Sequence, residues 1–304
     1  MEQGGQMYSD THFHFKTMTE EWCVNGVEVL EQLAARDCFF ALDIGTRADD
    51  LQVRQACVEK AIAQMMGDRP LADKARKFCY FSAGIWPDVD EIHDRENRMK
   101  ILREAIQTVG TDPDNDTLNR KVVAIGEGGL DHHWNPSGVD GRCESDFDEK
   151  TYQGERELFE MQLELAKEMN LPFLIHSRDA FEDTLDCLKN VGYHNGIVHC
   201  YSYGIEEARQ FLDLGWHIAF GGAVTYNKKA KLEAIKDLLR YVPADRFLCE
   251  TDAPYLAPVP FRGTPNTPVL VEQVYKFIAE VRGLSPLELS DLVDSNIKSL
   301  FGLG

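Results

Sequence analysis

Five of the short apolar runs in this chain lead directly into a residue able to hold a metal ion, and that recurrence restricts the fold more than any other feature. The first run carries Asp10-Thr11-His12-Phe13-His14. Later runs lead to Glu127 (Val-Val-Ala-Ile-Gly-Glu), His176 (Phe-Leu-Ile-His), His199 (Gly-Ile-Val-His) and Asp252 (after Phe-Leu-Cys-Glu-Thr). Side chains of an extended strand alternate faces, so Asp10, His12 and His14 project together while Thr11 and Phe13 point away. A lone His-x-His is as readily a strand with incidental histidines. Six ligand-type residues at matching run ends make a shared metal site the better account.

Apolar, β-branched or aromatic runs recur at Tyr8–Phe15, Phe39–Ile44, Tyr80–Ile85, Val122–Gly126, Phe173–His176, Gly196–His199, Trp216–Phe220 and Phe247–Cys249. Helical stripes alternate with them. Leu158, Met161, Leu165 and Met169 recur at three- and four-residue steps, as do Leu270, Val274, Phe277 and Val281. Ser285-Pro286-Leu287-Glu288 has the form of a capping box with proline at the first helical position. The pattern predicts an α/β chain of eight units: a (β/α)8 TIM barrel spanning residues 1–304 as a single domain. A doubly wound open sheet is the competing fold, but it would not bring ligands from strands 1, 4, 5, 6 and 8 to one point. Gly110–Asn119 and Asn135–Lys150 are polar insertions, the second following the fourth strand, where it can shape access to a barrel mouth.

Charge and cysteines narrow the function. The net charge of −19 argues against a surface that holds duplex nucleic acid through a basic face, so any phosphate must be drawn in locally by metal ions and a few cations. No apolar run approaches the roughly 18 residues of a membrane span. Met1–Met7 has neither the basic start nor the apolar core of a secretory signal. Eight cysteines lie scattered without C-x-x-C pairs, which suits reduced thiols and a cytoplasmic location. Cys200 and Cys249 are expected to pack in the core as small hydrophobes.

Four imidazoles and two carboxylates exceed the needs of one tetrahedral ion but suit two ions sharing a carboxylate. Nitrogen and oxygen ligation without thiolate fits two divalent ions such as Zn, Mn, Co or Fe, and more weakly Mg. Two such ions bring a bridging water towards neutral pKa and make hydroxide available. Asp252 is then placed to accept the proton. Arg178, two residues past His176, can pair with phosphate in bidentate fashion or with a carboxylate such as Asp179 or Glu250. Lys228, Lys229 and Lys231 form the densest basic cluster and read as a solvated helix face.

The segments Ser9–His14, Gly126–Asp131, His176–Ala180, His199–Ser202 and Glu250–Tyr255 resemble the signatures of TatD-like metal-dependent deoxyribonucleases, amidohydrolase-type barrels. The resemblance runs from Tyr8 to a closing Asn296–Leu303. It implies a binuclear site in which His12, His14, Glu127 and Asp252 hold one ion and Glu127, His176 and His199 the other. It further implies cleavage of phosphodiesters in DNA, often 3′-to-5′. Three positions depart from the family pattern. Gly84-Ile85-Trp86-Pro87 has Trp86 where the family has histidine, and its indole can stack on a base at the mouth or equally pack into the core. Arg262…Asn266-Thr267-Pro268 has threonine in place of a glutamate, leaving Arg262 as a candidate phosphate contact. His132-His133 replaces an aromatic pair and reads as surface or ligand-supporting.

The expected activity is divalent-metal-dependent cleavage of phosphodiester bonds in DNA, on single-stranded or frayed ends or on a small phosphodiester, by a protein expected to be monomeric. Hydrolysis of a carboxylic ester, lactone or aminoacyl ester on the same barrel is the alternative, and metal binding without turnover the third reading.

Overall fold

A computed structural model describes residues 8–65, 69–109, 122–133, 142–226 and 229–303. Gly110–Asn119, residues 135–141 of the second insertion, and Lys228 lie outside the described residues. All eight expected strands form: β1 Asp10–Phe13, β2 Ala41–Asp43, β3 Cys79–Ala83, β4 Val122–Asp131, β5 Phe173–Arg178, β6 Gly196–Val198, β7 His217–Phe220 and β8 Phe247–Cys249. They pair in parallel in the order β1 to β8, each joined to the next through helix. Strands β1, β2, β4, β6, β7 and β8 are buried at every position, as expected when side chains fill the barrel on one face and meet the helix layer on the other.

The barrel closes where β1 and the segment after β8 meet. Phe13 bridges Ala253, the His14 amide donates to the Ala253 carbonyl at 2.8 Å, and the Asp252 amide donates to the His12 carbonyl at 2.9 Å. The last helix, Pro286–Phe301, spans this seam. It opens on the expected capping box, with Ser285 and Glu288 serving each other's backbone amides. Its Asn296 donates to the carbonyls of Ala244 and Phe247, and its Asp294 accepts from Ser9 Oγ at 2.6 Å. The chain's final turns thus tie the first strand to the last.

Strand β4 departs from expectation. It runs on to Asp131 rather than stopping at Gly126, because its pairing with β5 resumes from Gly128 opposite Ile175 to Asp131 opposite Arg178. Between Ile125 and Gly128 the register slips by one residue, and Glu127 sits in that bulge. Glycine permits the close approach there. A Cβ on Gly84 would lie 2.3 Å from the Gly126 Cα, and one on Gly129, at φ 146°, would lie 1.9 Å from the His176 carbonyl oxygen. Gly84→Ala is therefore expected to cost about 3 kcal/mol of stability in chemical denaturation, the upper range for overpacking against backbone. A loss under about 0.5 kcal/mol, typical of an unconstrained surface position, would contradict this packing.

Candidate metal centre

The C-terminal halves of β1, β4 and β5, the residues just past β1 and β6, and the turn after β8 bring all six sequence-nominated ligands to one mouth. Glu127 lies at the middle: its Oε2 is 2.9 Å from His199 Nε2, 3.3 Å from His12 Nε2 and 3.9 Å from His176 Nδ1. Asp252 Oδ1 lies 3.4 Å from His14 Nε2 and 3.7 Å from His12 Nε2. The rings of His12 and His199 stack at 4.0 Å, and His176 Nδ1 is 3.1 Å from His199 Nε2. His12 is fully buried, and His14, Glu127 and His199 nearly so.

This arrangement leaves buried polar atoms without hydrogen-bond partners: both ring nitrogens of His12 and Oε2 of Glu127. Such atoms are costly unless something else satisfies them, and lone pairs converging from imidazole and carboxylate suit a divalent cation. Among the described residues, two groups each have ligand atoms within 4.8 Å of one another, His12 with Glu127 and His199, and His12 with His14 and Asp252. Both groups contain His12, whereas the partition implied by the family resemblance makes Glu127 the common residue.

The backbone around these ligands is closely specified. Asp252 holds φ 58°, uncommon for a residue other than glycine, fixed by its amide bond to His12 and by the Tyr255 amide donating to its carbonyl at 2.8 Å. The Glu127 amide donates to the Gly45 carbonyl at 2.8 Å, and Ser82 Oγ donates to the Gly126 carbonyl at 2.6 Å. Arg54, buried against Asp43 and Asp50, donates to the Ser82 carbonyl at 2.7 Å, while Asp43 accepts the Phe15 amide. Asp10 shares the inward face of β1, but its oxygens accept from Thr251 and the His12 amide and so hold the closing turn.

Two supporting carboxylates were not singled out by the sequence. Asp131 Oδ2 meets His176 Nε2 at 3.0 Å, leaving Nδ1 to face Glu127, and buried Glu250 has Oε1 3.8 Å from His199 Nδ1. A carboxylate hydrogen-bonded behind an imidazole, as Asp131 is behind His176, fixes ring orientation and tautomer. The signal for Asp131 was its register opposite Arg178, visible only once β4 is known to continue. Arg178 accordingly lies 3.9 Å from Asp131, rather than pairing with Asp179 or Glu250. His133 takes Asp179 at 2.8 Å, and His132 faces Glu155 at 3.3 Å. Trp86 stands edge-on to His176 at 5.9 Å, with the Arg142 guanidinium 5.4 Å from its ring, and Arg262 lies over Tyr226 at 4.0 Å. Lys231 is exposed. Cys249 packs in the core as expected, but Cys200 lies beyond β6 at φ 47°, half-buried, with its amide donating to Glu250.

Electrostatics divide the ligands. Burial, then the charge of His199, pushes His12 down to about 4, so it is neutral at pH 7. Burial acts to lower His14 too, but the hydrogen bond to Asp252 and the charges of Glu127, Asp252 and Asp43 raise it to about 9. Burial would raise Glu127, yet His199 and His12 hold it well below the usual carboxylate range. Burial and the neighbouring Asp252 push Glu250 well above that range.

An eight-stranded parallel barrel with imidazoles and carboxylates gathered at its mouth defines the class, that of metal-dependent hydrolase barrels. The family follows from comparison with known proteins. The family described as TatD related DNase matches residues 9–302. The metal-dependent hydrolase YcfH of Escherichia coli K12, itself uncharacterized, is 32% identical over 96% of this chain and 94% of its own. The 3′-5′ ssDNA/RNA exonuclease TatD of a Rahnella strain is 34% identical over 77% of this chain and 81% of its own. The crystal structure of YJJV, a TatD homologue from Escherichia coli, superposes with a TM-score of 0.72 at 24% identity, covering 98% of both chains. The chain belongs to the TatD DNase family and is a metal-dependent hydrolase.

The metal-free chain carries a proton on His14 at pH 7 that a cation must displace, whereas neutral His12 has none to lose. Metal affinity should therefore rise as pH increases from 6 towards 9, with about one proton released from His14 per chain at pH 7. Calorimetric titration in buffers of different ionisation enthalpy reads that proton. Uptake without proton release, or release unchanged in His14→Ala, would contradict the assignment.

Proposed function

We propose that this hydrolase cleaves phosphodiester bonds in DNA, acting from 3′ towards 5′ on single-stranded or frayed ends. The observation that carries the proposal is the buried Glu127 Oε2, close to His12, His176 and His199 but without a well-directed hydrogen bond. In this reading one barrel carries the whole activity. His12, His14 and Asp252 with Glu127 would hold one divalent ion, and Glu127 with His176 and His199 the second; zinc and manganese suit this donor set better than magnesium. Bound ions of this kind polarise a phosphoryl oxygen and lower the pKa of water.

The chain's own residues do the rest. Asp252 Oδ1, fixed beside His14 and at the lip of the cluster, accepts the proton of the attacking water. Asp131 keeps His176 turned to the centre through a 3.0 Å hydrogen bond. Arg178, half exposed beside Asp131, is placed to meet a phosphate of the strand, and Arg262, exposed over Tyr226, is a second candidate. Trp86, partly exposed and against His176, offers its ring to a base. The name of the Rahnella relative, an exonuclease on single-stranded DNA and RNA, supports the substrate class.

Asp252→Asn should lower kcat on 5′-labelled single-stranded DNA by a factor on the order of 10² to 10⁴, while at least one ion stays bound through His176, His199 and Glu127. Near wild-type turnover would remove Asp252 as the proton acceptor. Turnover greater on p-nitrophenyl acetate than on bis-p-nitrophenyl phosphate would move the assignment to carboxylic esters. With a net charge of −19, the slope of log affinity against log salt should correspond to about one to three phosphates, not six to ten. A steep slope would reveal a basic groove that this account lacks.

A further inference from the structure

Beyond the end of the imidazole cluster farthest from Trp86, the mouth carries a second aromatic surface that the hydrolytic chemistry leaves unused. Ring contacts step from His176 to His199 at 5.4 Å, to His12 at 4.0 Å and to His14 at 5.1 Å. They continue from His14 to Tyr255 at 6.0 Å and from Tyr255 to Trp22 at 5.9 Å, both edge to face. Tyr255 and Trp22 are 43% and 41% exposed, although rings of this size are usually buried in the core.

Both residues are anchored at the backbone. The Tyr255 amide donates to the Asp252 carbonyl, and buried Asn266 donates to the carbonyls of Tyr255 at 2.7 Å and Thr251 at 2.9 Å. Tyr255 is therefore fixed to the same turn as a nominated ligand. Trp22 closes the turn that follows His14, its amide donating to the Thr17 carbonyl at 3.3 Å. An aromatic side chain held in this way loses little freedom when something stacks on it. Nearby Lys16 is already paired with Glu20 at 3.1 Å, so this rim is better suited to a neutral ring than to a phosphate.

We propose that Trp22 and Tyr255 form a stacking platform for an unpaired nucleobase adjoining the scissile phosphodiester, so that bases supply affinity that this acidic protein cannot draw from phosphates. The proposal rests on the phosphodiesterase reading above. Stacking is available to any base, which suits degradation without sequence preference, and alanine substitution at such platforms typically costs between about fivefold and 100-fold.

The test is a cycle on the metal-loaded full chain with a short single-stranded DNA, intact or carrying an abasic tetrahydrofuran residue at each of its three 3′-terminal positions in turn. Trp22→Ala should lower kcat/KM on the intact strand about tenfold, mainly through KM, and Trp22→Phe should restore most of the loss. At the position whose base meets the platform, removing ring and base together should cost no more than removing either alone. Losses that multiply at all three positions, or no loss on the intact strand, would overturn the platform. If the wild-type chain cleaves no strand, the phosphodiesterase reading fails, and the same cycle read as equilibrium affinity judges the platform separately. Non-additivity there upholds it, and equal affinity for intact and abasic strands refutes it.

Discussion

The carboxylate of Glu127 is the constraint on which the mouth of this barrel depends. A nearly buried anion needs polar partners close by, and burial without them is strongly unfavourable. Two imidazoles within 3.3 Å hold Glu127 ionised, yet its inner oxygen still lacks a hydrogen-bond donor. The surrounding structure keeps that oxygen in place rather than relieving it. The β4 bulge turns Glu127 inward, Gly45 and Ser82 fix the adjoining peptides, and Gly84 lets the strands approach closely. A site maintained at this cost is organised for a cation.

The alternation of apolar runs and helical stripes made the barrel legible, because buried parallel strands and amphipathic helices each require their own periodicity. The final capping box was legible for the same reason, since Ser285 and Glu288 act within four residues. The gathering of His12, His14, Glu127, His176, His199 and Asp252 followed from barrel geometry. What periodicity could not carry was register. The slip at Ile125–Gly128 extends β4, and only then does Asp131 stand behind His176 and beside Arg178. Cys200 was misread because β6 ends at Val198, and two residues later the backbone turns left-handed at Cys200 and aims its amide at Glu250. Trp22 gave no signal at all, since its place beside Tyr255 depends on two segments that meet only when the barrel closes.

Under the proposed function, net charge and local aromatic surface together would let an acidic protein act on a polyanion. On that reading phosphate attraction is concentrated at the metal centre and a few arginines, and rings open to solvent, Trp86 in part, stand at both ends of the imidazole cluster. In the proposed mechanism the strand is held briefly, which suits repeated cleavage at an end more than tight binding along a duplex.

The central claim, that Glu127 joins two ions in one centre, is tested most directly by anomalous diffraction from crystals of the chain grown with Mn²⁺. The account predicts two peaks, one beside His12, His14 and Asp252 and one beside His176 and His199, with the Glu127 carboxylate between them. A single peak, or two peaks with Glu127 bound to neither, would contradict it.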